Sequence, residues 1–489
     1  MEGGRDMKRT NEGANAYDHA INACLEMFSK AGSLFEKRRS FYGNETTALA
    51  LFQEAFKEDA ITALKLLFWL RDCRGGAGNR SGSMSIIEHL ANTEPELMAL
   101  NMHLIPVYGR WSDLKALFTT PLRKIAGEMW ADAINGGDIL AAKWAKREHK
   151  PTRQALGLKE SEFRKLLASI RKNHIVEHKM CQKQWNDINF KHVPSVAMAR
   201  YTKAFDKHAH DKFQAYKAAL TSGTTTVHAE TLFPHDCIRT ALYGDAEMAE
   251  HQFNALPDYL DGTDEKIMVI CDTSGSMESK VGGSVQAIHV SIGMALYCSS
   301  RMPENSPFYK RFIAFCSEGH FVDWRKHTFK SALRDRNVFD RAVGSTRIDK
   351  ALSTILNIAT KKEIPQRLMP TTLLIVSDMQ FSDGACDNGY GWNTNGLDEK
   401  ESLTEIEKAM LKFEAAGYDR PKIVYWNTAG YDGQQATVNH DNVGLVSGFS
   451  PALCKAIFSG DDFTPYAIMQ RAIEKYKVKI TTREGEIEV

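Results

Sequence analysis

The stretch Lys266-Ile-Met-Val-Ile-Cys-Asp272-Thr-Ser274-Gly-Ser276-Met277 sets one carboxylate and two hydroxyls two residues apart at the end of a β-branched apolar run. Such a run reads as a buried strand, and the Asp-Thr-Ser-Gly-Ser after it as the loop at its C-terminal edge. Asp272, Ser274 and Ser276 then converge as an oxygen-only cradle. That donor set suits a hard cation, Mg²⁺ first and Mn²⁺ or Ca²⁺ as alternatives, because these ions take oxygen ligands and Mg²⁺ keeps several waters. The competing reading is an Asp-Ser turn capping a helix, since both residue types are favoured N-caps.

A second chemistry lies in the basic segment Lys143 to Lys217, where 18 Lys and Arg stand against 7 Asp and Glu, a local balance of +11. The whole chain carries only +1, so the remainder sums to about −10. A polyanion gains from counterion release on such a stretch. Its densest clusters hold Lys146, Arg147, Lys150 and Arg153, then Arg164, Lys165, Arg171, Lys172 and His174. At helical spacing the second cluster forms a phosphate-tracking ridge. Trp144, Phe163, Trp185, Phe190 and Tyr201 are interspersed and could stack bases, although core packing explains most of them equally well. The alternative is that the basic helices dock onto the acidic remainder of the same chain. A third candidate is the glycine-rich loop Leu70-Arg71-Asp72-Cys-Arg74-Gly-Gly-Ala-Gly-Asn-Arg80, whose N–H groups and Arg71, Arg74 and Arg80 could meet a phosphate. It lacks the Walker A pattern, and Arg71 and Asp72 could equally pair in a turn that ends a helix.

These groups need elements to hold them. Residues 1–45 form an N-terminal segment with a helix-like stretch around Ala20 to Phe28. From 46 to 255 apolar residues recur at three and four positions almost throughout, which predicts an all-α bundle or stacked helical repeat. After the linker Asn254–Thr263 the texture changes. Apolar runs at 266–271, 310–316, 371–377 and 421–426 alternate with helical segments at 285–299, 348–360 and 402–416. That alternation predicts a mostly parallel, Rossmann-like α/β sheet over 264–460, with the cradle outside the carboxyl ends of its strands. A helix and charged tail fill 461–489.

Length and composition set the bounds. At 489 residues the chain has room for two to four domains, and 43% apolar with 25% charged residues is ordinary for a globular protein. No run approaches 18 apolar residues, so no membrane helix is expected, and the N-terminus lacks the apolar core of a secretory signal. The 9 cysteines are widely spaced without a C-x-x-C pair, which argues against a disulfide framework or a zinc site and for a reducing, cytoplasmic setting.

Asp272-x-Ser274-x-Ser276 resembles the first element of the metal-ion-dependent adhesion site of von Willebrand factor A domains. That pattern also needs a Thr from a second loop and an Asp after a later strand. Thr346, ahead of the apolar-periodic helix Ile348 to Ile358, and Asp378, after the Thr371–Ser377 run, match it. The resemblance implies Ser274, Ser276 and Thr346 on the metal through hydroxyls, with Asp272 and Asp378 bound directly or through water.

Together with Leu70–Arg80, the motif Ile105-Pro-Val-Tyr-Gly-Arg110-Trp-Ser-Asp113-Leu114 and the later Ser377–Phe381, Val424–Asn427 and Val446–Ser450 resemble the DUF2828 family of helical-plus-A-domain proteins. Those are similar in architecture, more distantly, to Ro autoantigen (TROVE) proteins. The resemblance implies a HEAT-like helical ring that is closed by an A domain and holds single-stranded RNA, or single-stranded DNA, in basic surroundings; the chain is expected to be a monomer. No G-x-S-x-G elbow or H-E-x-x-H helix is present, so the expectation is a binding protein rather than an enzyme. The second expectation is a protein-interaction adaptor, its metal site taking a carboxylate of a partner, for example alongside a MoxR-type AAA+ ATPase.

Overall fold

The structure, a computed structural model, describes residues 7–10, 13–17, 20–34, 46–172, 175–282, 285–335, 346–382, 403–431, 434–438, 440–482 and 485–489. From Ala48 to Asn254 the regular elements described are all helical, among them Ala48–Glu58, Ala60–Arg71, Arg80–Thr93, Glu160–Arg171 and Ser195–His208. Helix Ala60–Arg71 shows why the sequence folds this way. Asp59 caps it by accepting from the Ile61 and Thr62 N–H groups at 3.0 and 3.1 Å. Leu64, Leu66, Leu67, Phe68, Trp69 and Leu70 are all buried, so the helix is apolar on every side and must sit inside the helical region.

The second region is a six-stranded sheet: β1 Ile267–Asp272, β2 Arg311–Phe315, β3 Gly319–Asp323, β4 Thr372–Ser377, β5 Lys422–Asn427 and β6 Val443–Ser447. The order is β6-β5-β4-β1-β2-β3, parallel except for β3, which runs antiparallel to β2. In β1 every residue is buried, as in β4, which is why both read as unbroken apolar runs. Helix Ala287–Arg301 packs on β1, β2 and β4, and helix Ile348–Lys361 on β2 and β3. From β1 the chain builds outward through β2 and β3, then returns to β4 on the other side. The strand order therefore reverses between β1 and β4, where open α/β sheets form a crevice at the carboxyl ends of their strands.

The two regions share one apolar core, which runs without a break from Ala14 through the helices and the sheet to Val478. The N-terminal segment belongs to it as well. Helix Ala23–Lys30 packs on β6, where Ser447 donates to Phe28 O at 2.6 Å and accepts from Gly32 N at 3.0 Å. A second, smaller core around Phe190, Met198, Phe205 and Phe213 carries much of the basic segment. The described cysteines are all free, and Cys271, Cys298 and Cys316 are buried. No described helix is long and apolar enough to cross a membrane.

Candidate functional site

The crevice between β1 and β4 gathers the oxygen donors. Asp272, fully buried, ends β1; its Oδ1 accepts from Ser274 N at 2.9 Å and its Oδ2 from Ser377 Oγ at 2.5 Å. The Ser274 and Ser276 hydroxyls lie 3.2 Å apart. Asp378 directly follows β4, and its Oδ1 accepts from Gln380 N at 3.2 Å. Thr346 is fully buried, with its carbonyl accepting from Ser382 N at 2.8 Å, while Arg347 N donates to Cys316 O at 2.9 Å. Its segment is thus strapped to the chain leaving β2 and β4. All five oxygen-bearing residues singled out in the sequence come to one edge of the sheet.

Electrostatics there favour a cation. No Lys, Arg or His nitrogen lies within 4.0 Å of Asp272 among the described residues. Burial first, and then the charge of Asp378, push the Asp272 carboxyl well above the usual carboxylate range. Two buried carboxylates of this kind are relieved by a divalent ion between them. Met379, next to Asp378, holds a left-handed φ of 64°, a strained conformation for a non-glycine residue of the sort that clusters at binding sites. The donor chemistry is oxygen throughout; among the described residues no group of three or more His, Cys, Asp or Glu is placed to hold a metal.

On the helical side the cations divide. Lys146, Arg147, Lys150, Arg164, Lys165 and Lys172 are exposed. Lys146 reaches Glu148 at 3.8 Å, and Arg147 and Arg153 share Glu160 at 3.9 and 3.5 Å, all loose contacts. Lys150, Arg164, Lys165 and Lys172 have no carboxylate within 4.0 Å among the described residues. Arg171 departs from the expected ridge: half-buried, it turns back to donate from Nε to Leu167 O at 2.8 Å. His174 lies outside the described residues. His149, in the first cluster, is a core group packed on Trp130 at 4.7 Å, and burial holds it down at about 4.

Sequence reading missed a second stripe. Arg200, Lys203 and Lys207 are exposed on helix Ser195–His208 at i, i+3 and i+7, one face of a helix. Trp185 stacks on the exposed His208 at 4.4 Å and 17°, beside that stripe. The spacing was there to be read. Of the other aromatics, Phe163 and Phe190 are core residues.

The glycine-rich loop is mainly a fastening. Arg71 is buried and binds Asp113 through Nε at 2.7 Å and Nη2 at 2.6 Å, so it is not available to a phosphate. Arg80 Nε joins the same Asp113 at 2.7 Å, as does Arg110 N at 3.0 Å. Nor does Arg71 pair with Asp72. Asp72 accepts from Arg74 N and Gly75 N at 2.9 and 3.2 Å, which occupies loop N–H groups a phosphate would need. It also accepts from Lys475 Nζ and Tyr476 Oη, both at 2.8 Å. A Cβ at Gly76 would stand 2.1 Å from Trp69 O, and Gly78 takes a left-handed φ of 72°, so both turn positions require glycine. Of the three arginines only Arg74 stays open to solvent without a carboxylate within 4.0 Å among the described residues.

Two family models match parts of the chain. Residues 122–269 match the family model for a domain of unknown function, DUF2828, and residues 266–486 match another, DUF7788. The chain is 25% identical over 531 aligned positions to the uncharacterised protein L728 of Acanthamoeba polyphaga mimivirus, across 96% of this chain and 87% of the relative. Among solved structures it is similar to the Ro (RSR) protein of Deinococcus radiodurans, at 13% identity and a TM-score of 0.46, over 93% of this chain and 99% of that one. The DUF2828 resemblance noted in the sequence is met over residues 122–269; the motifs at 70–80 and 105–114 fall N-terminal to that match, and those at 377–381, 424–427 and 446–450 fall within the DUF7788 match.

Proposed function

We propose that this chain is a non-catalytic, nucleic-acid-binding protein whose helical region holds single-stranded RNA, or single-stranded DNA in its place. The observation that carries the reading is the unpaired state of its cations. Lys150, Arg164, Lys165, Lys172, Arg200 and Lys203 face solvent with no carboxylate within 4.0 Å among the described residues. Docking onto the acidic remainder of the chain would have left them buried or paired. A surface of this kind gains affinity for polyanions by releasing counterions, and the stacked Trp185–His208 pair offers a base a flat neighbour. The preference for RNA rests on the resemblance drawn from the sequence, in which HEAT-like helices and a von Willebrand factor A-type domain accompany RNA.

In the same reading the sheet is an A-type domain and the crevice its metal-ion-dependent adhesion site. Asp272, Ser274, Ser276, Thr346 and Asp378 would hold Mg²⁺, which supplies a positive centre for an acidic group. Because Ser274, Ser276 and Thr346 are neutral donors, they would leave that centre positive charge for a second role, capture of a carboxylate on a protein partner. Binding is tested by fluorescence anisotropy of a labelled single-stranded RNA and its duplex at two salt concentrations, with and without EDTA. Salt-sensitive binding that prefers the single strand supports the reading, and absence of binding at low salt removes it.

A further inference from the structure

Where the glycine-rich loop meets the C-terminal helices, a cleft of about 590 Å³ opens, away from the cradle and the cationic surface. That volume is within the range of small-molecule sites. Its walls carry Arg74, Lys455, Arg471 and Lys475 against one carboxylate, Asp72. Asp72 is already satisfied by Arg74 N, Gly75 N, Tyr476 Oη and Lys475 Nζ, so Lys475 is the partnered cation of the four. Arg74 and Lys455 are exposed, and neither they nor Arg471 has a carboxylate within 4.0 Å among the described residues.

Arg471 is the best organised of the three. Its Nε donates to Ala456 O at 2.9 Å and its Nη1 to Asp462 O at 2.8 Å, which fixes the guanidinium plane, while Nη2 is buried with no acceptor among the described residues. A guanidinium held rigid with donors left over suits an anion with several oxygens. Among the described residues Arg74 Nη1 meets only Val107 O, at 3.3 Å. Apart from Ser459 and Gly75, the remaining walls are apolar or aromatic, among them Tyr108, Tyr259, Leu453 and Val107, which is 56% exposed. Lys455 Nζ stands 5.6 Å from the Tyr259 ring centre, so positive charge and ring face share one wall.

We propose that this cleft binds a nucleotide, with its phosphate on Arg74, Lys455 and Arg471 and its base against the Tyr108 and Tyr259 side. A free nucleoside mono- or diphosphate and the phosphorylated end of a strand offer the same chemistry, and the test separates them. Isothermal titration of the full chain uses AMP, ADP, adenosine, inorganic phosphate, and one oligonucleotide with a 5′-phosphate or a 5′-hydroxyl. The proteins are the wild type, an R74E/K455E variant and, as a control, R164E/K165E. All four positions are exposed, and R74Q/K455Q serves if the double reversal lowers the Tm. Expected is binding of AMP or ADP at least tenfold tighter than of adenosine or phosphate, lost in R74E/K455E and kept in R164E/K165E. Preference for the 5′-phosphorylated strand that disappears in R74E/K455E, without free-nucleotide binding, assigns the cleft to strand ends. Equal titrations of R74E/K455E and wild type with every phosphate-bearing probe overturn the proposal. Because the control removes the cationic surface alone, failure here leaves the strand-binding reading standing, and the reverse holds too.

Discussion

Asp113 offers the sharpest test of how the helical region is held together. Its carboxylate is fully buried and takes five donors: Arg71 Nε and Nη2, Arg80 Nε, Arg110 N and, at 3.4 Å, Ser112 Oγ. The Arg71 side chain is 3% exposed, so Asp113→Ala leaves a buried guanidinium without its counter-charge, whereas Arg80, 51% exposed, can turn to water. Removing one partner of a buried pair costs about 3–5 kcal/mol, against about 0–1 kcal/mol for an exposed pair. We therefore expect Asp113→Ala to lose about 3–5 kcal/mol, almost all of it through Arg71. Urea unfolding followed by tryptophan fluorescence measures this, with the shared core making a single transition the expectation. Arg71→Met combined with Asp113→Leu should recover most of the loss, because two apolar groups of similar size no longer strand a charge. A loss below about 1 kcal/mol in Asp113→Ala, or a double variant no better than the single, would refute the reasoning.

Gly76→Ala should destabilise the protein by roughly 1–3 kcal/mol, since the new Cβ would press on Trp69 O; a melt matching wild type contradicts this. Saturating Mg²⁺ at about 100 Kd should stabilise the wild type by about 2.7 kcal/mol, and this increment should vanish in D272N/S274A. Burial raises Glu407, but hydrogen bonds from His440, Thr404 and Tyr17 outweigh it and hold the carboxyl at about 2. Because the folded value lies below the unfolded one, this stability is present above about pH 4.5 and is lost as pH falls towards 2. Glu407→Gln should flatten that acid limb in a series of melts between pH 2 and 6, and an unchanged limb counts against the network.

Much of the sheet was legible because its central strands are buried on both faces. Apolar runs at 266–271 and 371–377 became β1 and β4, and Asp272 and Asp378 fell where those runs end. Strand β3, Gly-His-Phe-Val-Asp, gave no such signal: an edge strand with most of its side chains in solvent, it needs no apolar alternation. The partner of Arg71 was not legible either. The neighbouring Asp72 looked suitable, yet it serves Lys475 and Tyr476 from the far end of the chain, while Asp113 arrives on another helix turn. Such pairings are set by tertiary packing and leave no local pattern. Arg171 failed for a related reason, since helical spacing sets the face of a side chain but not whether it folds back on its own backbone.

The exposed cations carry the proposed binding of nucleic acid. Single-stranded RNA affinity measured by anisotropy across a salt series, for wild type and for R164E/K165E/K172E, tests it most directly. The slope of log K against log salt should shrink in magnitude by about 2, because each lost phosphate contact on a single strand removes roughly 0.7. Affinity at low salt should fall with it while the Mg²⁺-dependent stabilisation stays. Identical slopes and affinities for the two proteins would contradict the claim that this surface binds nucleic acid.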